Sequence, residues 1–68
     1  MIYYYTVFVL ARKPARKWVE KVVFVRAVSN NDAGLQAVDH LVDLGYEVEK
    51  ITWVRCGQPY VETVEEAG

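Results

Sequence analysis

The 68-residue chain has one cysteine, one histidine, two prolines and four glycines. Each scarcity removes a class of explanation. Cys56 alone cannot form an internal disulfide, and with His40 as the sole histidine there is no Cys/His cluster of the spacing that holds zinc. A domain this small has a thin core, usually reinforced by disulfides, metal or oligomerisation. With the first two unsupported, oligomerisation is the expected reinforcement. A lone thiol fits a reducing cytoplasm. The glycines, at positions 34, 45, 57 and 68, are too scattered to form a phosphate-cradling loop. No apolar run approaches the roughly 20 residues that cross a bilayer. The opening MIYYYTVFVLARKPARK has no basic segment before its apolar run and no small-residue cleavage site, so it reads as a strand of a soluble protein.

Charge is missing from one stretch in particular. Ile2 to Ala11 carries none, and both alternations of that stretch are largely apolar: Tyr3, Tyr5, Val7 and Val9 on one face, Ile2, Tyr4, Thr6, Phe8 and Leu10 on the other. A half-solvated strand alternates apolar with polar, so this pattern predicts a central strand covered on both sides. What charge there is lies unevenly around a net of −1. Arg12, Lys13, Arg16, Lys17 and Lys21 are five of the eight basic residues, while eight of the nine acids lie elsewhere. A cationic finger of this kind steers association with an anionic partner even at near-zero net charge.

The coarse reading is a single domain over 1–68, with strands at about 2–11, 17–28 and 46–56, a helix at about 30–44, and a short strand expected at 60–64. Pro14 marks the turn between the first two strands. Ser29 is the expected N-cap, with Asp32 as its capping-box partner, and Gly45 is the expected left-handed stop. At about 100° per residue, Ala33, Gly34, Leu35, Ala37, Val38, Leu41, Val42 and Leu44 fall on one arc of the helix. Contact with the sheet is expected through Gly34, Ala37, Val38, Leu41 and Leu44. The alternation begun by Tyr46 and Val48 breaks at Glu49-Lys50 and resumes on the other parity at Ile51 and Trp53, which predicts one β-bulge. Gly57-Gln58-Pro59 reads as a turn. A right-handed crossover leaves the second and third strands parallel, and if the uncharged strand lies between them it pairs antiparallel with both, in the order 2-1-3, with the tail strand beside the third. The fold class is α+β: a small ββαβ(β) two-layer fold, one helix packed on a mainly antiparallel sheet of three or four strands.

Few side chains point to chemistry. His40 has Asp39 and Asp43 nearby, but the sequence places no nucleophile with it, and a solvated helix-edge histidine accounts for it. Cys56 has Arg55 beside it, yet consecutive strand residues face opposite ways, so it reads as a small buried hydrophobe. Asp32, Asp39 and Asp43 read as a solvated helix face, with no metal-binding loop. No catalytic, metal or cofactor-binding residue is expected. The expected partner-binding residues are Arg12, Lys13, Arg16, Lys17, Lys21 and Trp18. Phe8, Leu10, Val22 and Phe24, on the parity facing away from the helix, are the expected face of a homodimer.

In size and ββαβ plan the chain resembles the tiny accessory proteins of phages and mobile elements, including inhibitors of host defence complexes. That resemblance is one of layout and implies a protein-binding regulator or inhibitor. The expected function is therefore a non-enzymatic module gripping a protein with an anionic surface. The alternative is a nucleic-acid-binding module, with phosphate contacts from the hairpin tip and bases stacked on sheet aromatics.

Overall fold

The computed structural model describes residues 1–59, as β1 (Tyr3–Arg12), β2 (Val19–Ala27), α1 (Asn30–Asp43) and β3 (Glu47–Pro59). One sheet has the order β2-β1-β3, and β1 is antiparallel to both neighbours. The uncharged strand is therefore central, as its two apolar faces require. The register sets Tyr5 opposite Val25, Val7 opposite Val23 and Val9 opposite Lys21, so the odd-numbered residues of β1 and β2 share the face under α1. The strand expected at 60–64 lies outside the described residues.

The core beneath the helix is made of small side chains: Tyr5, Val7, Val9, Ala11, Val23, Ala27, Ala33, Ala37 and Leu41. Its largest fully buried members are two valines, Val7 and Val9. The buried stripe of α1 is narrower than the apolar arc of its sequence. Ala33, Gly34, Ala37 and Leu41 are buried, Val38 is half-buried, and Leu35 stays 69% exposed. Leu35 and Val42 sit about 100° or more around the helix from the stripe's centre, beyond the reach of a flat sheet. Leu44, expected to contact the sheet, is exposed because it is the C-cap, where the helix has already ended.

Both helix ends are closed by the residues the sequence marks. The Asp32 N–H donates to Ser29 Oγ at 3.1 Å, and Asp32 Oδ2 accepts from the Val28 N–H at 3.4 Å. At the other end Gly45 takes φ +92°, while its N–H donates to the Val42 carbonyl and that of Tyr46 to the Leu41 carbonyl. Those two bonds form a Schellman motif, which uses carbonyls the helix leaves without partners.

β3 departs most from expectation. Its pairing with β1 shifts register three times, not once. The expected bulge is present: Leu10 pairs with Lys50 and Ala11 with Val48, leaving Glu49 as the extra residue. A second shift leaves out Thr52, since Val9 pairs with Ile51 and Phe8 with Trp53. Two bulges cancel in parity, so Ile51 faces the helix and Trp53 the opposite side, where the sequence reading put them together. The third shift lies between Tyr3 and Tyr5, where the strand runs on to Pro59 instead of turning at Gly57-Gln58-Pro59. An irregular ladder absorbs those residues without breaking the strand.

Gly34 sets the distance between the layers. A Cβ built there would come within 2.8 Å of Ile51 Cδ1. Gly34→Ala gains about 1 kcal/mol of helix propensity but must displace that methyl. In an Ile51→Val background, which lacks the methyl, Gly34→Ala should raise stability by about 1 kcal/mol, and in the parent chain by clearly less. Urea midpoints of the four chains measure the difference.

Candidate functional site

The side of the sheet away from α1 has no cover among the described residues. The registers assemble it row by row. Phe24, Thr6 and Arg55 lie across one row; Val22, Phe8 and Trp53 across the next; Glu20, Leu10 and Lys50 across the third. Phe8 and Trp53 stack with ring centroids 5.3 Å apart and planes inclined by 20°. Phe24 is 77% exposed and Trp53 57%. Neither tryptophan and neither phenylalanine belongs to the core, so the chain's largest apolar side chains are outside it. Phe8, Leu10, Val22 and Phe24 thus share one face as expected, with Trp53 beside them. Only the Thr52 bulge brings Trp53 there, which is why the sequence did not mark it.

That bulge is pinned. Thr52 Oγ1 lies 3.1 Å from both the Phe8 carbonyl and Glu20 Oε2, so one hydroxyl proton serves two acceptors. The contact spans all three strands and ties the edge strands together across β1.

The cationic tip is less of a free finger than its sequence implies. Arg12 donates from Nε to Glu47 Oε1 at 2.8 Å and stacks its guanidinium 4.3 Å from the centre of the Trp18 ring. These two even-numbered residues extend the open face by a fourth row, beyond that of Leu10. Lys13 bends the other way: its ammonium donates to the Leu44 carbonyl at 2.8 Å, at the negative end of α1. Lys13 and Lys21 both lie over the Tyr46 ring, at 4.8 and 5.0 Å. Arg16 and Lys17 make no side-chain hydrogen bond or ion pair with the described residues. All five cations line one cleft of about 370 Å³ with Val19 and Tyr46. No pattern in the sequence places Tyr46 here. It arrives because the Schellman turn carries the chain from the helix end to the hairpin tip.

The turn at the tip is strained. The Arg16 N–H closes it on the Lys13 carbonyl at 3.0 Å, with Pro14 and Ala15 between, and Ala15 has φ +66°. A type II turn wants glycine at that third position, and alanine there costs free energy.

His40 is exposed on the flank of α1 that lines the groove beside β2. Cys56 is exposed too, contrary to the buried position expected for it. It faces the helix side opposite Tyr5, but β3 is an edge strand, and none of its helix-side residues is fully buried. Among the described residues no three His, Cys, Asp or Glu side chains converge on one point. No described helix is long and apolar enough to cross a membrane. Tyr5 is held neutral: burial, then hydrogen bonding to the Cys56 thiol, pushes its phenol above the ordinary 10.0.

The fold and its surfaces define a small α+β protein with one covered and one open sheet face. No family model matches the chain, and neither a curated protein nor a solved structure matches it.

Two consequences can be measured. Ala15→Gly should stabilise the chain by up to about 1 kcal/mol, read as a higher urea midpoint, because glycine removes the cost of positive φ. The folded state prefers the neutral Tyr5 phenol, so this contribution is fully present below pH 10 and is lost as pH rises through the raised folded value. Between about pH 8 and pH 11 the parent chain should therefore lose more stability than Tyr5→Phe, in parallel urea titrations.

Proposed function

We propose that the chain is a non-enzymatic, self-associating protein-binding module, a regulator or inhibitor of phage or mobile-element type acting in the cytoplasm. Its partner is a protein with an anionic surface. The observation that carries this reading is the open face, where the Phe8–Trp53 stack and the exposed Phe24 form a contiguous apolar patch. Patches of stacked aromatics at the centre of a surface are where binding energy concentrates, and charges at the rim mainly accelerate association. Here the rim is basic at the tip end, through Arg12, Arg16 and Lys17. Trp18 joins the two parts, since Arg12 stacks on it.

A second reading has its own support. Arg55 and Lys50 sit in the rows on either side of Trp53, and Arg26 is opposite Tyr4. Cations beside exposed aromatics on a sheet are what single-stranded nucleic acids bind. Against it stand Glu20 and Glu47 on the same face, which repel a phosphate backbone.

Capture from lysate in the presence of nuclease, followed by affinity measurement on the captured protein, tests the choice. Trp53→Ala should weaken binding by about 2 kcal/mol, roughly thirtyfold, mostly in dissociation. Arg16→Glu with Lys17→Glu should slow association and flatten its salt dependence. Loss of every partner on nuclease treatment would reverse the assignment. So would a purified chain that binds a short oligonucleotide with a log–log salt slope of about −0.7 per phosphate.

A further inference from the structure

The two edges of the sheet are built differently. β3 meets β1 with three register shifts, and bulges of this kind bend an edge out of pairing geometry. β2 meets β1 without a single shift over nine residues, Val19 to Ala27, and contains no proline or glycine. Such an edge is a template for another strand unless something blunts it. Among the described residues no strand pairs with its outer side, where the Gln36 amide holds one carbonyl, that of Arg26.

Two hydrogen bonds identify which backbone groups point outward. Gln36 Nε2, on α1, donates to the Arg26 carbonyl at 3.0 Å, so that carbonyl is turned away from β1. Independently, the Phe8 carbonyl accepts from Thr52 of β3, so even-numbered residues of β1 aim their backbone at β3 and odd-numbered ones at β2. Since N–H and C=O of one strand residue point to the same side, the outward set on β2 is Glu20, Val22, Phe24 and Arg26.

These four residues are complementary to themselves when read backwards. If a second copy pairs antiparallel about a two-fold axis through Val23, Glu20 lies opposite Arg26 and Val22 opposite Phe24, in both directions. All four then fall at positions that exchange two backbone hydrogen bonds with their partner. Their side chains lie on the open face, where the exposed Phe24 covers the exposed Val22 of the other copy. On the helix side, Lys21 comes opposite Val25 of the second copy, in the groove that Asp39 and Asp43 of that copy line. Sliding the register by one step puts Glu20 opposite Phe24 or Val28 and separates the charges. We infer that two copies join β2 to β2 in this register, forming a continuous six-stranded antiparallel sheet. Its helices share one side, and Phe8, Leu10 and Trp53 of both copies remain on the other.

The inference rests on the self-association proposed above and specifies how it happens, leaving the apolar face for the partner. Sedimentation equilibrium and backbone amide exchange, run across a range of chain concentrations, test both. Expected are a mass twice 7.8 kDa and slowing of the Glu20, Val22, Phe24 and Arg26 amides as the dimer populates. Glu20→Arg and Arg26→Glu, each placing like charges opposite, should weaken the dimer at least tenfold, and the double exchange should restore it. A dimer whose four outward amides exchange at the same rate at every concentration overturns the edge pairing while leaving self-association standing. So does a double exchange that is no tighter than either single one. A monomer at all concentrations overturns both.

Discussion

One fourteen-residue helix can cover one face of a three-stranded sheet, and β1 is apolar on both of its faces. Everything else in this small chain follows from that mismatch. The covered side uses small residues, with alanines on α1 against valines and one tyrosine on the strands, so the helix sits close. Gly34 takes the tightest approach, against Ile51. The large aromatics are left to the other side. Burying a phenylalanine or a tryptophan is worth more than burying a valine. A chain that keeps all four of these side chains out of its core therefore has unspent burial to contribute to an interface.

The irregularity of β3 serves the open side. A regular strand would send Ile51 and Trp53 to the same face, and one layer would lose a contact. The Glu49 and Thr52 bulges allow Ile51 to pack beneath α1 while Trp53 stacks on Phe8. Thr52, the residue displaced from the ladder, is not left idle. Its hydroxyl joins Phe8 and Glu20, so the second bulge also ties β3 to β2. The same bulges make β3 a poor edge, which leaves β2 as the regular one.

At the hairpin tip, charge has two uses. Lys13 answers the carbonyl end of α1 and shares the Tyr46 ring with Lys21, which fixes the hairpin to the helix. Arg12 is committed to Glu47 and Trp18 on the opposite side. Arg16 and Lys17 make no side-chain hydrogen bond or ion pair with the described residues. The Ala15 turn that presents them is held at positive φ, a cost that the surrounding contacts sustain.

Several features of this protein were determined by sequence alone: the central strand by its absence of charge, the helix by Ser29, Asp32 and Gly45, and, with that strand placed centrally, the 2-1-3 order by chain connectivity. These depend on neighbours a few residues apart or on a rule about crossovers, so one strand of text contains them. The open face was half legible, because period-two alternation in β1 and β2 places Phe8, Leu10, Val22 and Phe24 together. Only the tertiary structure decided the rest. Trp53 joins that face through a bulge whose position depends on pairing with β1. Tyr46 meets Lys13 and Lys21 because the helix end and the hairpin tip come together in space. Cys56 is exposed because it lies on an edge strand, beyond the stretch from Ile51 to Val54 that packs toward α1. In each case the deciding partner belongs to another element of the fold, and no local pattern records it.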